Sequence, residues 1–284
     1  YVWLDALTNY LSAVNFPNVN NDLFKKFWPA NLHVIGKDIL RFHAIYWPAF
    51  LLAAKIKPPG RVFGHGWILS GDEKMSKSKG NILNPLEIID KYGIDELRYY
   101  LMKEVSHGSD GSISLNSLEK CINSDLANNY GNLCQRIFSF IKNNCKNKVD
   151  RTKNISDEDK KLINQTNEFT NDLRNLMENQ NLNNYIKSVI NISFLTNKYI
   201  NDQEPWKLKD INKEKMGNIL HIALEQIAKI SILLNPIIPK ATTKVLDALN
   251  LDAKLRNSSF LDGKNILTDN IKIKELNILF KKIK

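Results

Sequence analysis

The chain has 284 residues, 43% of them hydrophobic and 25% charged, which is the balance of an ordinary globular protein with room for two separate cores. A formal net charge of +10 and a pI near 9.3 favour a polyanionic partner, nucleic acid ahead of membrane. The longest apolar run, Ala44 to Ala54, is too short to cross a bilayer, so no membrane partner is expected.

Cys121, Cys134 and Cys145 are odd in number and lack C-x-x-C spacing. They argue against a disulfide framework and against bound zinc, and for a reducing compartment, the cytoplasm or an organellar matrix. The chain starts at Tyr1 in mid-pattern and without a methionine, and reads as a piece lacking its natural N-terminal part.

Residues 1–14 read as a helix with Trp3, Ala6, Leu7 and Tyr10 on one face. Such a face serves either as core or as the wall of a pocket, with Ala6 leaving room between the two aromatics. Asn31 to Ile35 is a short strand, followed by Gly36-Lys37-Asp38 and a helical pattern from Ile39 to about Ala54. Strand, glycine turn and helix start is where α/β folds place ligands. Asp38 suits the N-cap or first turn of that helix, and Ile39 and His43 share its next face. His33, His43 and His65 each have a structural role as their default reading.

Pro58-Pro59-Gly60 breaks the chain ahead of a second strand, Arg61 to Phe63. The stretch Gly64 to Asn81, GHGWILSGDEKMSKSKGN, then crowds Lys74, Lys77 and Lys79 together with Ser76, Ser78 and two glycines. Like charges repel at that spacing, so the loop is read as one that closes over phosphates. Helices are predicted after Asn84-Pro85 and over about 95–103, and the Ser- and Gly-rich stretch 104–115 reads as a linker.

Beyond residue 116 helical periods cover about 116–146, 157–178, 182–201, 213–234 and 239–249, with little strand signal. This half therefore reads as an antiparallel helical bundle. Asn132 and Arg136, four apart, present an amide and a guanidinium on one face, suited either to base edges or to an ordinary surface. Trp206 follows Pro205, and serves either to anchor helices or to stack on an unpaired base.

The segments YVWLDAL-TNYL, HVIGKDILRFHAIYWPAFL, GHGWILSGDEKMSKSKGN, NLCQR and EPW stand in the order found in methionyl-tRNA synthetases. The chain resembles the bacterial and organellar type of that class I family over essentially its whole length. The resemblance implies an α/β portion, the second half of a Rossmann-type nucleotide-binding domain over residues 1–115, followed by an all-α anticodon-binding bundle over 116–284.

It also implies residue roles. Trp3, Ala6, Leu7, Tyr10, Ile39 and His43 match the methionine pocket. Gly36, Asp38, His65, Ile68 and the loop Lys74, Met75, Ser76, Lys77 and Ser78 match the ATP side, with Lys74 and Lys77 neutralising the triphosphate. Asn132, Arg136 and Trp206 match the residues that read the anticodon of tRNA(Met). The implied reaction is ATP- and Mg²⁺-dependent activation of methionine followed by transfer to tRNA, by a protein expected to be monomeric.

The H-x-G-H element of class I synthetases is not among these residues, and His33-Val34-Ile35-Gly36 is a different element. The chain alone is therefore expected not to activate methionine. Two alternatives stand beside this reading: a related synthetase for leucine, isoleucine, valine or cysteine, and a non-catalytic tRNA-binding fragment.

Overall fold

A computed structural model describes residues 2–70, 73–74, 83–105, 108–152, 154–262 and 265–283. The chain divides into two compact units, Tyr1–Met75 with Ser106–Ser112, and Ser76–Val105 with Ile113–Lys284.

In the first unit, helix α1 (Val2–Ser12) ends where Asn15 takes a left-handed conformation, φ 68°. Helix α2 (Asp22–Phe27) is not visible as a period in the sequence. It is too short for one and is held by its Asn21 cap, which accepts from the Leu23 N–H. Strands β1 (His33–Gly36) and β2 (Val62–His65) pair in parallel, with His33 opposite Val62 and Gly36 opposite His65. Both strands therefore end at the same edge, which carries Gly36 on one strand and His65 on the other.

The crossover between them is not the uniform helix the pattern suggests. A 3₁₀ turn, Lys37–Ile39, is followed by a π-helical turn, Phe42–Tyr46, and then α3 (Trp47–Ala53). Pro48 explains the widening: it has no N–H to give the Ala44 carbonyl and its ring would crowd that oxygen, so Trp47 bonds back to Phe42 instead. Asp38 stands in the first turn, and Gly36 occupies the cap without a side-chain bond. The unit's core gathers Leu7, Leu11, Trp28, Trp47 and Leu51.

Strands β3 (Ile68–Ser70), β4 (Glu73–Lys74) and β5 (Gly111–Ile113) form a small sheet in the order β4-β3-β5. The stretch read as a linker thus supplies a strand. Ser and Gly make that segment look like loop, yet Gly111 donates its N–H to the Trp67 carbonyl at 2.9 Å.

The second unit opens with α4 (Pro85–Tyr92), capped by Asn84, and α5 (Ile94–Glu104). Helix α5 is fastened to the corner before α12 (Pro239–Ala248): Arg98 donates to the carbonyls of Pro236 and Ile237, each at 2.7 Å, and Asp95 accepts the Ala241 N–H at 2.7 Å. Helix α6 (Leu115–Cys121), a π-helical stretch (Ile122–Gly131) and α7 (Asn132–Asn144) run on without a break. The period over 157–178 divides into α8 (Asp157–Asn171) and α9 (Leu173–Glu178).

Helices α10 (Leu182–Gln203) and α11 (Lys213–Leu234) are the long members of the bundle. Helix α11 is long and apolar enough to cross a membrane, but 94% of its apolar window is buried inside the protein, as a central helix requires. Of its buried polar groups, Glu225 accepts the N–H groups of Ile266 and Leu267 at 2.7 and 3.0 Å and His221 bonds the Thr268 carbonyl through Nε2 at 2.8 Å, whereas the Gln226 amide and the His221 Nδ1 have no partner among the described residues. These bonds pin the segment leading to β7 (Asn270–Lys272), which pairs antiparallel with β6 (Lys148–Asp150). That strand pair is a correction to the purely helical reading. Each strand is three residues long, below the length at which alternation shows.

Candidate functional sites

In the first unit the face of α1 meets the π-helical turn. Trp3 stacks on Phe42 with ring centroids 4.0 Å apart, and its edge faces the His43 ring at 6.3 Å. The π turn advances the chain so that both Phe42 and His43 face α1. His43 is almost fully buried, and its Nδ1 lies 3.0 Å from the Ile39 carbonyl. A carbonyl only accepts, so Nδ1 carries the proton and Nε2 is left to accept from the Tyr10 hydroxyl at 3.0 Å. One tautomer is thereby fixed. The Tyr10 oxygen is orientated with its remaining lone pairs free, and burial raises its pKa.

His33, buried at 6% exposure, packs 4.4 Å from the Tyr10 ring, and its Nδ1 has no hydrogen-bond partner among the described residues. Burial, and then the neighbouring His43, hold its pKa below the ordinary histidine value. Trp47, 2% exposed and part of the core, backs Tyr10 with ring centroids 6.3 Å apart. Ala6 is exposed and Ile39 half-buried, both open to a ligand, whereas Leu7 is 1% exposed and belongs to the core. The sequence list thus omitted His33, Phe42 and Trp47. Trp47 carried a signal, since it lies one turn beyond His43; the stacking of Phe42 on Trp3 depends on the π turn and carried none.

The nucleotide-side residues gather at the shared carboxyl edge of β1 and β2. Asp38 reaches back over Gly36, where a Cβ would stand 2.5 Å from the Asp38 Oδ1 and 3.9 Å from the His65 ring. The His65 Nδ1 bonds the Gly66 carbonyl at 3.0 Å, so that ring too is held in one orientation, and Ile68 is 42% exposed at the start of β3. Lys74 pairs through its backbone with Leu69 in β4. Met75, Ser76, Lys77 and Ser78 lie outside the described residues. Among the described residues no cluster of three or more His, Cys, Asp or Glu side chains could hold a metal.

In the second unit Arg136 and Trp206 come together from α7 and from the 3₁₀ turn Pro205–Leu208 after α10. The guanidinium stands 5.9 Å from the Trp206 ring centroid and donates through Nη2 to the Asn201 Oδ1 at 2.8 Å. Trp206 stays 43% exposed. It is turned outward because Glu204 adopts a left-handed conformation, φ 44°, and closes an ion pair with Lys207 at 2.8 Å. An open cavity of about 240 Å³ lies beside them, lined by Phe140, Ile200, Pro205 and Leu220. Asn132 is exposed one turn before Arg136 and faces a groove lined by Gln135 and the tail Ile278 to Lys282.

Comparison with known proteins identifies the setting of these sites. A family model described as "tRNA synthetases class I (M)" matches residues 1–138, and one described as "Anticodon binding domain of methionyl tRNA ligase" matches residues 149–284. The chain is 42% identical to a methionine–tRNA ligase of Brucella suis over 90% of its own length and 50% of the relative's. Against that of Rickettsia typhi it is 41% identical over 100% of its length and 56% of the relative's. Mycobacterium tuberculosis methionyl-tRNA synthetase bound by methionyl-adenylate superposes with a TM-score of 0.93 at 35% identity, covering 99% of this chain and 56% of that one. The chain thus spans about half the length of the relatives it matches. With its two matched halves in this order, part of a class I catalytic domain and then an anticodon-binding bundle, the chain belongs to the methionyl-tRNA synthetase family.

Proposed function

We propose that this chain supplies the methionine pocket, the nucleotide edge and the anticodon-reading bundle of a methionine–tRNA ligase, with residues 1–115 serving catalysis and 116–284 tRNA. The observation that carries the reading is the box formed by Trp3, Tyr10 and His43, with Phe42 behind Trp3. Aromatic edges suit a flexible thioether, and the hydroxyl held by His43 gives the box one polar tip. A pocket for a branched aliphatic side chain needs neither.

ATP, taken as its Mg²⁺ complex, is the second substrate. The methionine carboxylate attacks the α-phosphorus, pyrophosphate leaves, and a terminal ribose hydroxyl of the tRNA then takes the methionyl group from the adenylate. No protein nucleophile is required, so the residues here act by positioning and by neutralising charge. Gly36, Asp38, His65 and Ile68 hold the adenosine. Lys74 and Lys77, with Met75, Ser76 and Ser78, meet the phosphates. Arg136 and Trp206, with Asn132, read the anticodon, Trp206 by stacking. The free thiols of Cys121, Cys134 and Cys145 support a cytoplasmic place of work.

The test is amino-acid-dependent ATP–pyrophosphate exchange by this chain carried within a synthetase of full family length. Methionine is expected to drive exchange, and preference for leucine, isoleucine, valine or cysteine would overturn the reading. In the same assay Lys74→Ala is expected to lose about 3 kcal/mol of transition-state stabilisation, as removal of one preorganised donor does.

A further inference from the structure

The residues assigned to adenosine come from two pieces of chain, the Gly36-Lys37-Asp38 turn after β1 and the His65 to Ile68 stretch after β2. A third piece ties them together. Asp110, just before β5, accepts with the single oxygen Oδ1 both from the Lys37 Nζ at 2.5 Å and from the Trp67 backbone N–H at 2.8 Å. Its segment is held there by backbone as well. Gly111 donates to the Trp67 carbonyl at 2.9 Å. Gly66 lies so close to Ser109 that a Cβ would stand 2.1 Å from the Ser109 carbonyl oxygen, an approach only glycine allows.

The Lys37 ammonium, and then the Trp67 N–H, hold the Asp110 carboxyl below the usual carboxylate range, so it is an anion at neutral pH. The ion pair is nevertheless open to solvent, at 42% and 38% exposure, and pairs of that kind add little to global stability. What the pair does accomplish is geometric. Lys37 stands between Gly36 and Asp38, and Trp67 stands between His65 and Ile68. One carboxylate oxygen therefore bridges the two walls of the nucleotide edge just beyond the last pair of the β1–β2 ladder, Gly36 and His65.

We propose that Asp110 is a positioning residue for the adenosine nucleotide, acting through Lys37 and the Trp67 N–H to hold the Gly36–Asp38 turn at a fixed distance from the His65–Ile68 segment. The inference rests on the nucleotide assignment made above, and extends it to a residue outside the segments that carry the resemblance. It also gives Lys37 a tether, which keeps a free ammonium from pairing with the phosphates in a wrong register.

The experiment measures direct ATP binding and exchange kinetics for Asp110→Ala, Lys37→Met and the double variant, each within a synthetase of full family length. Asp110→Ala is expected to weaken ATP binding and to raise the KM for ATP about tenfold, as small misplacements of a site do. The KM for methionine should stay within about twofold, and the thermal midpoint within about 2 °C, as for other solvent-facing pairs. Lys37→Met should reproduce much of the loss, and the double variant should lose no more than the larger single one. Asp110→Asn, which can still accept the Trp67 N–H, should fall between wild type and Ala.

Unchanged ATP affinity in Asp110→Ala would overturn the proposal. So would parallel losses for ATP and methionine with a lowered thermal midpoint, which is the pattern of a merely structural residue. Methionine-independent exchange by the unsubstituted protein would remove the amino-acid assignment, while the ratio of ATP dissociation constants would still decide the role of Asp110.

Discussion

The two candidate recognition sites of this chain are built on different principles. In the first unit a box is assembled from rings whose polar tips are tied to one another, Tyr10 to the buried His43 and His43 to the Ile39 carbonyl, with the Tyr10 ring still 38% exposed at its mouth. In the second unit a charge lies beside an exposed ring: Arg136 stands near Trp206, which is 43% open to water. A box tied to a buried ring gains its discrimination from shape and from the cost of leaving the polar atom of that ring unpaired, so small changes in it are expensive. An exposed cation and stacking surface gain affinity from charge and from a π-face that any base can offer, so their effects are graded and salt-dependent.

The largest expected effect comes from breaking the box. Replacing His43 by Ala removes the acceptor that orientates Tyr10 and opens a hole beside Trp3. The specificity constant for methionine in pyrophosphate exchange should fall on the order of 10²-fold, with the KM for ATP little changed. Tyr10→Phe keeps the ring and deletes the hydroxyl, and should cost about tenfold, the range of one lost hydrogen bond in a buried site. If both variants lost as much toward ATP as toward methionine, the box would be a structural core rather than a pocket.

Smaller and of another kind are the changes expected at the RNA-reading face. Trp206→Ala should weaken tRNA binding by about 1–3 kcal/mol, the worth of one base stacked on an aromatic ring. Arg136→Gln should weaken it less as the salt concentration rises, because it removes a cation, whereas the Trp206 effect should persist at high salt. Filter binding of tRNA across a salt series measures both. Identical salt dependence for the two variants would dissolve the distinction between a charge contact and a stacking contact.

Much of both sites was legible in the residues, and what was missed has particular causes. Trp3 and Tyr10 stand at helical spacing, as do Ile39 and His43, and spacing is what a sequence displays; only the resemblance joined the two pairs, and the structure brings His43 against Trp3 and Tyr10. Arg136 and Trp206 are seventy residues apart, and only the resemblance placed them at one site. Helix α11 was legible to the residue, since its period runs unbroken from Lys213 to Leu234. The π-helical turns were not, because 3.6 and 4.4 residues per turn cannot be told apart over five positions. The strands β5, β6 and β7 are each three residues long, and depend on partners remote in the chain. Asp110 gave no signal at all. An aspartate in a Ser- and Gly-rich stretch reads as a turn residue, and its role comes from Lys37, far away in sequence.

The smallest effect expected is on stability, and it concerns the pH response of the first unit. His33 lies among Tyr10, Trp28 and His43, and its pKa in the fold is below the ordinary value of about 6.5 that it regains on unfolding. Between those two pKa values the unfolded chain binds the proton more readily than the folded one, so unfolding free energy rises with pH through that window. The stabilisation is complete above about 6.5 and is lost progressively as pH falls toward the folded-state value. Amide hydrogen exchange should therefore show β1 and α1 opening more readily at pH 5.5 than at pH 7.5. In the second unit the only histidine is His221, whose Nε2 is engaged by the Thr268 carbonyl, and α11 serves as the comparison segment in the same measurement. His33→Phe, which keeps a ring against Tyr10 and removes the titrating group, should flatten the profile of the first unit. If that variant retained the wild-type slope, the pH response of the first unit would owe nothing to His33.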